Sequence, residues 1–300
     1  MNTIHLRIHE LRKLKELALE KGTLNTEALM LILNKKHVKN SPEKTLLFKY
    51  LDAQDDEKIM GRKIYTVSLL NSSDQYREID ELIIPNTIVI VDNKIAGFAM
   101  PLVQNHTNLG IFLNNPNNSF SQKIEYLKQV GRIIDKVQRV TGESFRMNFG
   151  DLNEFNFIID DHSIVRAIDL DSAYIGQDEP ATAAYYLLKN DYLKLLSDKY
   201  RFSPTGIILP SDETDLYCYN TILLSTLAEE EIYKKSIDIF YKYLFHLKDV
   251  GLDIELIKIF SSIYNSNANQ NPFALLKTIK PEWKDAMSYQ TFKKEYKIKG

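Results

Sequence analysis

Apolar and polar residues follow strand-type patterns through much of the first hundred positions. The run "TIHLRI" alternates apolar and polar residues. "EALMLILN" and "TLLFKYL" are short apolar runs joined by the polar stretch "KKHVKNSPEK", which predicts a hairpin with a long loop. A second hairpin is predicted in "NTIVIVDNKIAGFAMPLV", with its turn at Asp92 and Asn93. Helical spacing predicts a helix in "HELRKLKELALEKG", ending at Gly22, and another in "DAQDDEKIMGRKIYTVSLLN".

The pattern becomes mostly helical after about residue 102. "SFSQKIEYLKQVGRIIDKVQRVTG" predicts a long helix that begins at a capping box of Ser119 and Gln122 and ends at Gly142. Helical runs dominate again from about residue 181 to the end of the chain. We therefore predict an α+β protein with a small strand-rich N-terminal lobe, residues 1–102, and a larger helical C-terminal lobe, residues 103–300.

Composition excludes several classes of protein. The chain has 300 residues, 44% of them hydrophobic and 26% charged, with a formal net charge of −2, which is ordinary for a globular protein and unlike a dedicated nucleic-acid binder. No apolar run approaches the roughly 18 residues that span a bilayer. Charges interrupt the N-terminus throughout, which is untypical of a signal peptide. Cys218 is the single cysteine, so a disulfide framework within the chain is excluded and we predict a cytoplasmic protein.

One non-helical island interrupts the helical part of the chain. "NFIID" and "SIVRAID" are two short strand-type runs around the polar turn "DHS", which predicts a hairpin directly after a long helix. Asp151 and Asn156 precede the first strand, and Asp169 ends the second. Because a hairpin brings its outer ends together, we expect these three side chains to converge beside a cleft.

Two carboxylates and an amide oxygen form a hard, oxygen-rich set of ligands. Such ligands suit magnesium or manganese, and a few of them bind the ion best when substrate phosphates complete its octahedral shell. A carboxylate that does not bind the metal can accept a proton from a hydroxyl group. Phosphoryl transfer needs this division of labour, because its catalysis consists mainly of positioning and charge neutralisation.

The spacing of these residues resembles that of the protein-kinase-like superfamily. Protein kinases carry a catalytic Asp, an Asn five residues later, and a metal-binding Asp after a strand hairpin. Asp151 and Asn156 are five positions apart, and Asp151 and Asp169 are eighteen apart. The resemblance covers most of residues 25–300. It implies a bilobal kinase-like fold, ATP and Mg²⁺ as cofactors, Asp151 as the catalytic base, and Asn156 and Asp169 as metal ligands.

Other positions depart from the protein-kinase pattern. The family's His-Arg-Asp is Phe-Gly-Asp in this chain, ending at Asp151, and is more similar to the His-Gly-Asp of aminoglycoside, choline and other small-molecule phosphotransferases. The family's Asp-Phe-Gly is Asp-Leu-Asp, which makes Asp171 a further candidate metal ligand. The short segment "SAYIGQDEPATAAYY" leaves little room for a peptide-docking platform. In the absence of a glycine-rich loop, "KGTLNTEA" or another segment would cover the nucleotide phosphates.

Lys49, in the apolar run "LLFKYL", is the candidate nucleotide lysine. On a strand its side chain faces opposite to those of Phe48 and Tyr50, so it can point into a cleft. By the resemblance it pairs with an acidic residue of the following helix. Glu57 opens that helix and is favoured, although it follows Lys49 by only eight residues, and Glu78 in "YREIDELIIPN" is the alternative.

Three functions are compatible with this pattern. The leading hypothesis is an ATP- and magnesium-dependent phosphotransferase that transfers the γ-phosphate to a protein Ser/Thr or other hydroxyl acceptor. The Phe-Gly-Asp sequence and the short segment after Asp169 favour a small-molecule acceptor. The alternative is a catalytically degraded, kinase-like binding or scaffold protein, which the missing glycine-rich loop favours. We expect a nucleotide and a hydroxyl acceptor as partners, no nucleic acid and no membrane span.

Overall fold

The structure of the protein is a computed structural model. It describes residues 1–16, 28–34, 45–51, 57–141, 144–176, 179–180, 201–264 and 270–298. Gly22, Gly142 and all but the last residue of the candidate phosphate-covering segment "KGTLNTEA" lie outside these ranges.

A six-stranded mixed sheet is built from residues that precede position 102. Its strands are β1 (Asn2–Leu6), β2 (Lys15–Glu16), β3 (Ala28–Asn34), β4 (Thr45–Leu51), β5 (Thr87–Val91) and β6 (Lys94–Pro101). The order across the sheet is β1-β5-β6-β4-β3-β2, with β1 and β5 parallel and the other neighbours antiparallel. Both predicted hairpins are confirmed. The second turns at Asp92 and Asn93, whose φ angles of 46° and 68° are those of a tight hairpin turn.

The helix predicted in "HELRKLKELALEKG" is wrong over most of its described part. A single helical turn, α1 (Ile8–Leu11), follows β1, and the chain then enters strand β2. Lys15 pairs with Ile32 and Glu16 with Leu31 at the edge of the sheet. Helical spacing is a weak preference in so short a segment, and pairing with β3 outweighs it here.

Helices are the main regular structure of the described chain after β6. The helices from position 57 onward are α2 (Glu57–Ser72), α3 (Asp74–Arg77), α4 (Leu109–Asn114), α5 (Phe120–Gln138), α6 (Asp212–Ala228), α7 (Ile237–Val250), α8 (Ile254–Ser261), α9 (Lys284–Met287) and α10 (Tyr289–Glu295). The predicted long helix is α5, with Ser119 at its N-cap. The predicted capping box there is wrong, since the Ser119 side chain makes no capping hydrogen bond.

The predicted hairpin after α5 is confirmed as strands β8 (Phe157–Ile159) and β9 (Val165–Ala167). A short strand, β7 (Thr107–Asn108), adds to β8 and completes a second sheet of three strands. Asp160 fixes the hairpin turn, because its Oδ1 accepts hydrogen bonds of 2.9 Å from the amides of both His162 and Ile164. Its Oδ2 accepts a 2.7 Å hydrogen bond from Arg166, which lies on β9. These bonds fix the turn of the hairpin, while the amide of Ile168 donates a 2.9 Å hydrogen bond to the carbonyl oxygen of Asn156 at its outer end.

The hydrophobic core has one large cluster and two small ones. The large cluster unites the helices and includes Leu127, Leu223, Leu247 and Phe260, all essentially inaccessible to solvent. One small cluster covers the face of the sheet that carries Phe48, and the other joins Leu51 and Phe98 to Val67 of α2. Because alternate strand residues share a face, Lys49 lies on the same side of β4 as Leu51, which is the side covered by α2.

The molecule is therefore α+β, with a six-stranded mixed sheet and a helical C-terminal region, as the sequence predicts. The division into lobes at residue 102 stays a prediction. No helix in the described ranges is long and apolar enough to cross a membrane.

Candidate functional site

The segment that carries Asp151 is held against the segment that follows Asp169. Asn148 and Tyr174 form an antiparallel bridge with two backbone hydrogen bonds of 2.8 Å. Gly150 has a φ of +77°, and a Cβ atom there would lie 2.7 Å from the carbonyl oxygen of Ser172. Only glycine permits this approach without strain, which gives a physical reason for Gly in the Phe-Gly-Asp sequence.

Asp151 is half-buried and is held by two asparagine side chains. Asn153 donates a 3.1 Å hydrogen bond to the Asp151 Oδ2 atom, and Asn156 donates a 2.8 Å bond to the Asp151 carbonyl oxygen. The amide nitrogen of Asn156 is thereby committed to the backbone. Its amide oxygen can accept from a ligand or bind a metal ion.

Asp169 lies next to Asn156 through the backbone of the hairpin. The amide of Ile168 donates a 2.9 Å hydrogen bond to the carbonyl oxygen of Asn156. Asp169 itself has φ 64° and ψ 28°, a left-handed conformation that is uncommon outside glycine and frequent at functional sites. The structure thus brings Asp151, Asn156 and Asp169 onto adjoining segments, as the hairpin pattern predicts.

Lys49 reaches the same place from the six-stranded sheet. Its ammonium group is ion-paired with Asp169 and lies 3.1 Å from each carboxylate oxygen of Asp171. The lysine is buried, which excludes a solvated edge-strand position for it. Burial opposes its charge, but the two carboxylates outweigh burial and hold the pKa of Lys49 above its ordinary value.

Asp171 is completely buried and also contacts a second lysine. The Nζ atom of Lys63, on α2, lies 3.0 Å from Asp171 Oδ2 and 3.3 Å from Ser172 Oγ. Burial disfavours the charged carboxylate, but Lys49 and Lys63 outweigh burial and hold the pKa of Asp171 well below its usual range. These contacts do not test the metal role predicted for Asp171, but they give both of its oxygens another partner.

Glu78, the alternative acidic partner predicted for Lys49, does not contact the lysine, while the favoured partner Glu57 stays a prediction. Glu78 is exposed at the C-terminal end of α3, and the ion pairs of Lys49 among the described residues are with Asp169 and Asp171. Glu57 is the first residue of α2, and its side chain lies outside the described part of the structure.

Asp215, which was not among the predicted site residues, is a buried carboxylate that contacts the Asp151 segment. Its Oδ2 accepts a 3.0 Å hydrogen bond from the backbone amide of Phe149 and a longer one, 3.4 Å, from the Asn148 side chain. Burial raises the pKa of Asp215 to about 7, despite the opposing effect of these hydrogen bonds. The sequence signal for it is that Asp215 directly precedes the apolar helical run "LYCYNTILL". An acid beside so apolar a run is buried only where a hydrogen-bond partner is available to it.

The oxygen atoms at this site suit a metal that is shared with a phosphate ligand. Among the residues that the structure describes, no group of three His, Cys, Asp or Glu side chains could hold a metal ion by itself. Asp169 keeps a quarter of its side chain exposed (26%), and no residue in the described part of the chain donates to the amide oxygen of Asn156. Magnesium often takes only one or two protein ligands and completes its shell with water and substrate phosphates.

Comparisons with known proteins give no family assignment for the chain. No protein-family model matches it, and a search of curated proteins gives no match.

Proposed function

We propose that this protein is an ATP-dependent phosphotransferase of the protein-kinase-like superfamily, with a small lobe before residue 103 and a larger lobe after it. In that proposal the six-stranded sheet supplies the nucleotide lysine. The helical region supplies the catalytic segment and the metal ligands. The product is a phosphorylated hydroxyl compound, and the acceptor is a protein Ser/Thr or a small molecule.

The contact between Lys49 and Asp169 is the observation that carries the proposal. The two residues are 120 positions apart, and they meet at the junction of β4 and the hairpin of β8 and β9. Protein kinases bring together a strand lysine that binds phosphates and an Asp that binds magnesium. A buried lysine beside a partly exposed carboxylate in left-handed backbone supports the same pair of roles.

Asp151 has the position and the support that a general base needs. Its carboxylate is half-buried, and Asn153 donates to one oxygen, Oδ2. In the proposed reaction the acceptor hydroxyl gives its proton to Asp151 while its oxygen bonds to the γ-phosphorus of ATP. The bond from that phosphorus to the β,γ-bridging oxygen breaks, and ADP leaves. Asn156 keeps the Asp151 backbone fixed during this exchange through its 2.8 Å hydrogen bond.

Asn156 and Asp169 are the residues that would hold magnesium. The amide oxygen of Asn156 and the carboxylate of Asp169 are hard ligands of the kind magnesium prefers, and both adjoin the lysine expected to meet the phosphates. When bound, the ion would supply neutralisation of the phosphate charge. The hydrogen bond from the Asn156 amide nitrogen to the Asp151 carbonyl oxygen orients the amide oxygen. The side chain therefore loses less conformational entropy when the metal binds.

Purified protein incubated with γ-labelled ATP and magnesium tests the proposal. The label should appear on the protein itself, on a panel of Ser/Thr peptides, or on a panel of small-molecule alcohols and amino alcohols. Asp151→Asn should slow the labelling on the order of 10²-fold or more. A chain that binds Mg-ATP without transferring label to any of these acceptors would favour the hypothesis of a catalytically degraded binding or scaffold protein. A chain that binds no nucleotide would contradict the proposal.

A further inference from the structure

Two lysines and two aspartates meet where α2, β4 and the segment after β9 adjoin. Lys49 of β4 contacts Asp169 and Asp171, and Lys63 of α2 contacts Asp171. The lysines and Asp171 are buried, while Asp169 is partly exposed. Asp171 therefore lies between two cations, and only Asp169 presents a carboxylate to solvent.

The two aspartates differ in what they can still bind. Both oxygens of Asp171 already accept from ammonium groups, at 3.0 and 3.1 Å, and none of its side chain is exposed. Asp169 contacts Lys49 alone among the described lysines, and 26% of its side chain is exposed. Asp171 is therefore the carboxylate that holds the lysines, and Asp169 is the carboxylate that can bind a ligand.

Helix α2 holds the short 3-10 turn of residues 170–172 independently of Lys49. Lys63 bonds to Asp171 and lies 3.3 Å from Ser172 Oγ, and the hydroxyl of Thr66 donates a 3.2 Å hydrogen bond to the carbonyl oxygen of Ala173. These contacts join one face of α2 to consecutive residues of the turn. The contacts with α2 therefore hold the carboxylate of Asp171 in place without any contribution from Lys49.

Protein kinases position the nucleotide lysine with a glutamate that projects from the helix after the lysine strand. In this protein the helix after the lysine strand projects a lysine, Lys63, toward the same place. Among the side chains that the structure describes, the buried carboxylate at Lys49 comes from Asp171, two residues beyond the proposed metal ligand Asp169. In protein kinases the helix supplies the negative charge beside the lysine. Here the helix supplies a positive charge, from Lys63, and the segment after β9 supplies the negative charge, from Asp171.

We infer that Asp171 is the positioning residue for Lys49, and that Lys63 fixes Asp171 in that role. The inference rests on the proposed function, because it assumes that Lys49 binds the nucleotide phosphates. It assigns Asp171 to the lysine and leaves Asn156 and Asp169 to the metal. It also makes a glutamate from α2 or α3 unnecessary for nucleotide binding.

Nucleotide affinity measured by calorimetry tests this assignment, with ATP in magnesium, ATP in EDTA, and adenosine. Asp171→Asn should weaken ATP binding on the order of tenfold, the effect of losing one charge-assisted hydrogen bond. The factor should be the same with and without magnesium, because Asp171 acts through Lys49. Adenosine affinity should not change, because adenosine has no phosphate for Lys49 to bind. A general loss of structure would weaken adenosine binding as well.

A charge-balanced double variant guards against misfolding of Asp171→Asn. Lys63→Met with Asp171→Asn removes one buried cation and one buried anion together, which costs less than removing one alone. It should show the same loss of ATP affinity and the same adenosine affinity. Asp161→Asn, in the exposed turn between β8 and β9, is the matched control and should bind ATP as the unaltered protein does. Glu57→Gln and Glu78→Gln test the helix glutamates, and the inference predicts full ATP affinity for both.

The possible failures are distinguishable. Unaltered protein that binds neither ATP nor adenosine would defeat the proposed function. Unaltered protein that binds Mg-ATP, together with Asp171 variants of full ATP affinity, would defeat the inference alone. A loss confined to the magnesium condition would make Asp171 a metal ligand and overturn it. A loss of ATP affinity in Glu57→Gln, without a loss in the double variant, would show that Glu57 and not Asp171 positions Lys49.

Discussion

The side-chain amide of Asn156 donates a 2.8 Å hydrogen bond to the carbonyl oxygen of Asp151, while the Asn156 carbonyl accepts a 2.9 Å bond from the amide of Ile168. One asparagine thus joins the segment of the proposed base to the end of β9, next to the proposed metal ligand Asp169. The proposed base and metal ligand are therefore held by the same residue, and their separate chemical roles can be tested by separate substitutions.

Asp151→Asn should remove the proton acceptor and leave the site otherwise intact. Asparagine has the same size and can still accept the hydrogen bond from Asn153, but it cannot take a proton. We expect the single-turnover rate of phosphoryl transfer to fall on the order of 10²- to 10⁴-fold, with ATP affinity nearly unchanged. Asp161→Asn, in the exposed turn between β8 and β9, is the matched control. A variant at 151 with the full rate would show that another group accepts the proton.

Asp169→Asn should act on nucleotide binding as well as on the rate. The substitution removes a negative charge from the proposed metal ligands, so the gain in ATP affinity on adding magnesium should shrink or vanish. Titration of ATP at several magnesium concentrations measures that gain directly. Asp151→Asn serves as the comparison, since its ATP affinity should retain the full dependence on magnesium. The same magnesium dependence in both variants would remove Asp169 from the metal site.

The hairpin and its polar ends were predictable because their signals are local. Strand-type runs around a polar turn predict β8 and β9, and the hairpin geometry places Asn156 and Asp169 near one another. The pairing of Lys49 with Asp171 was not predictable from spacing, because it depends on how the sheet meets a segment 122 positions later. The family resemblance pointed instead to a helix glutamate, and no local pattern marks a loop aspartate as a lysine partner.

Two other misses have different physical causes. The run after β1 has helical spacing, but Lys15 and Glu16 gain more by pairing with Ile32 and Leu31 of β3, a contact that the spacing within the run does not show. Asp215 was overlooked because an acid near the start of a helix usually caps it or faces water. Its burial depends on the backbone amide of Phe149, which only the folded chain brings near.

Gly150→Ala should disturb the site more than the same change at Gly176. Both glycines have positive φ, +77° and +89°, so both substitutions carry the cost of a left-handed backbone, roughly 1–2 kcal/mol. A Cβ at 150 would also meet the Ser172 carbonyl oxygen at 2.7 Å, whereas a Cβ at 176 meets nothing within 4 Å. We expect Gly150→Ala to lose about 1–3 kcal/mol more in the free energy of unfolding than Gly176→Ala.

Chemical denaturation of the two glycine variants measures that difference. The rate of phosphoryl transfer should fall only in Gly150→Ala. The new Cβ atom would push the Asp151 segment away from residues 169–172, which carry the proposed metal ligand. Equal stability and equal activity of the two variants would mean that the segments do not pack closely at Gly150.

The buried carboxyl of Asp215 should make stability depend on pH. Its pKa in the folded protein is raised to about 7, whereas an unfolded Asp has a pKa of about 3.9. Between these values the folded state binds a proton that the unfolded state has lost. The contribution of Asp215 to stability therefore declines as pH rises from about 4 to about 7, and is constant above that range.

Urea unfolding of the unaltered protein and of Asp215→Asn, at pH 5.5 and pH 8, isolates this contribution. Asparagine does not titrate and can still accept the hydrogen bond from the Phe149 amide. The stability of the unaltered protein relative to Asp215→Asn should fall by about 2 kcal/mol between the two pH values. Asp238→Asn, an exposed carboxylate on α7, controls for the loss of a surface charge. A relative stability of Asp215→Asn that does not change with pH would mean that the Asp215 carboxyl is ionised throughout this range, held by its contacts with Phe149 and Asn148.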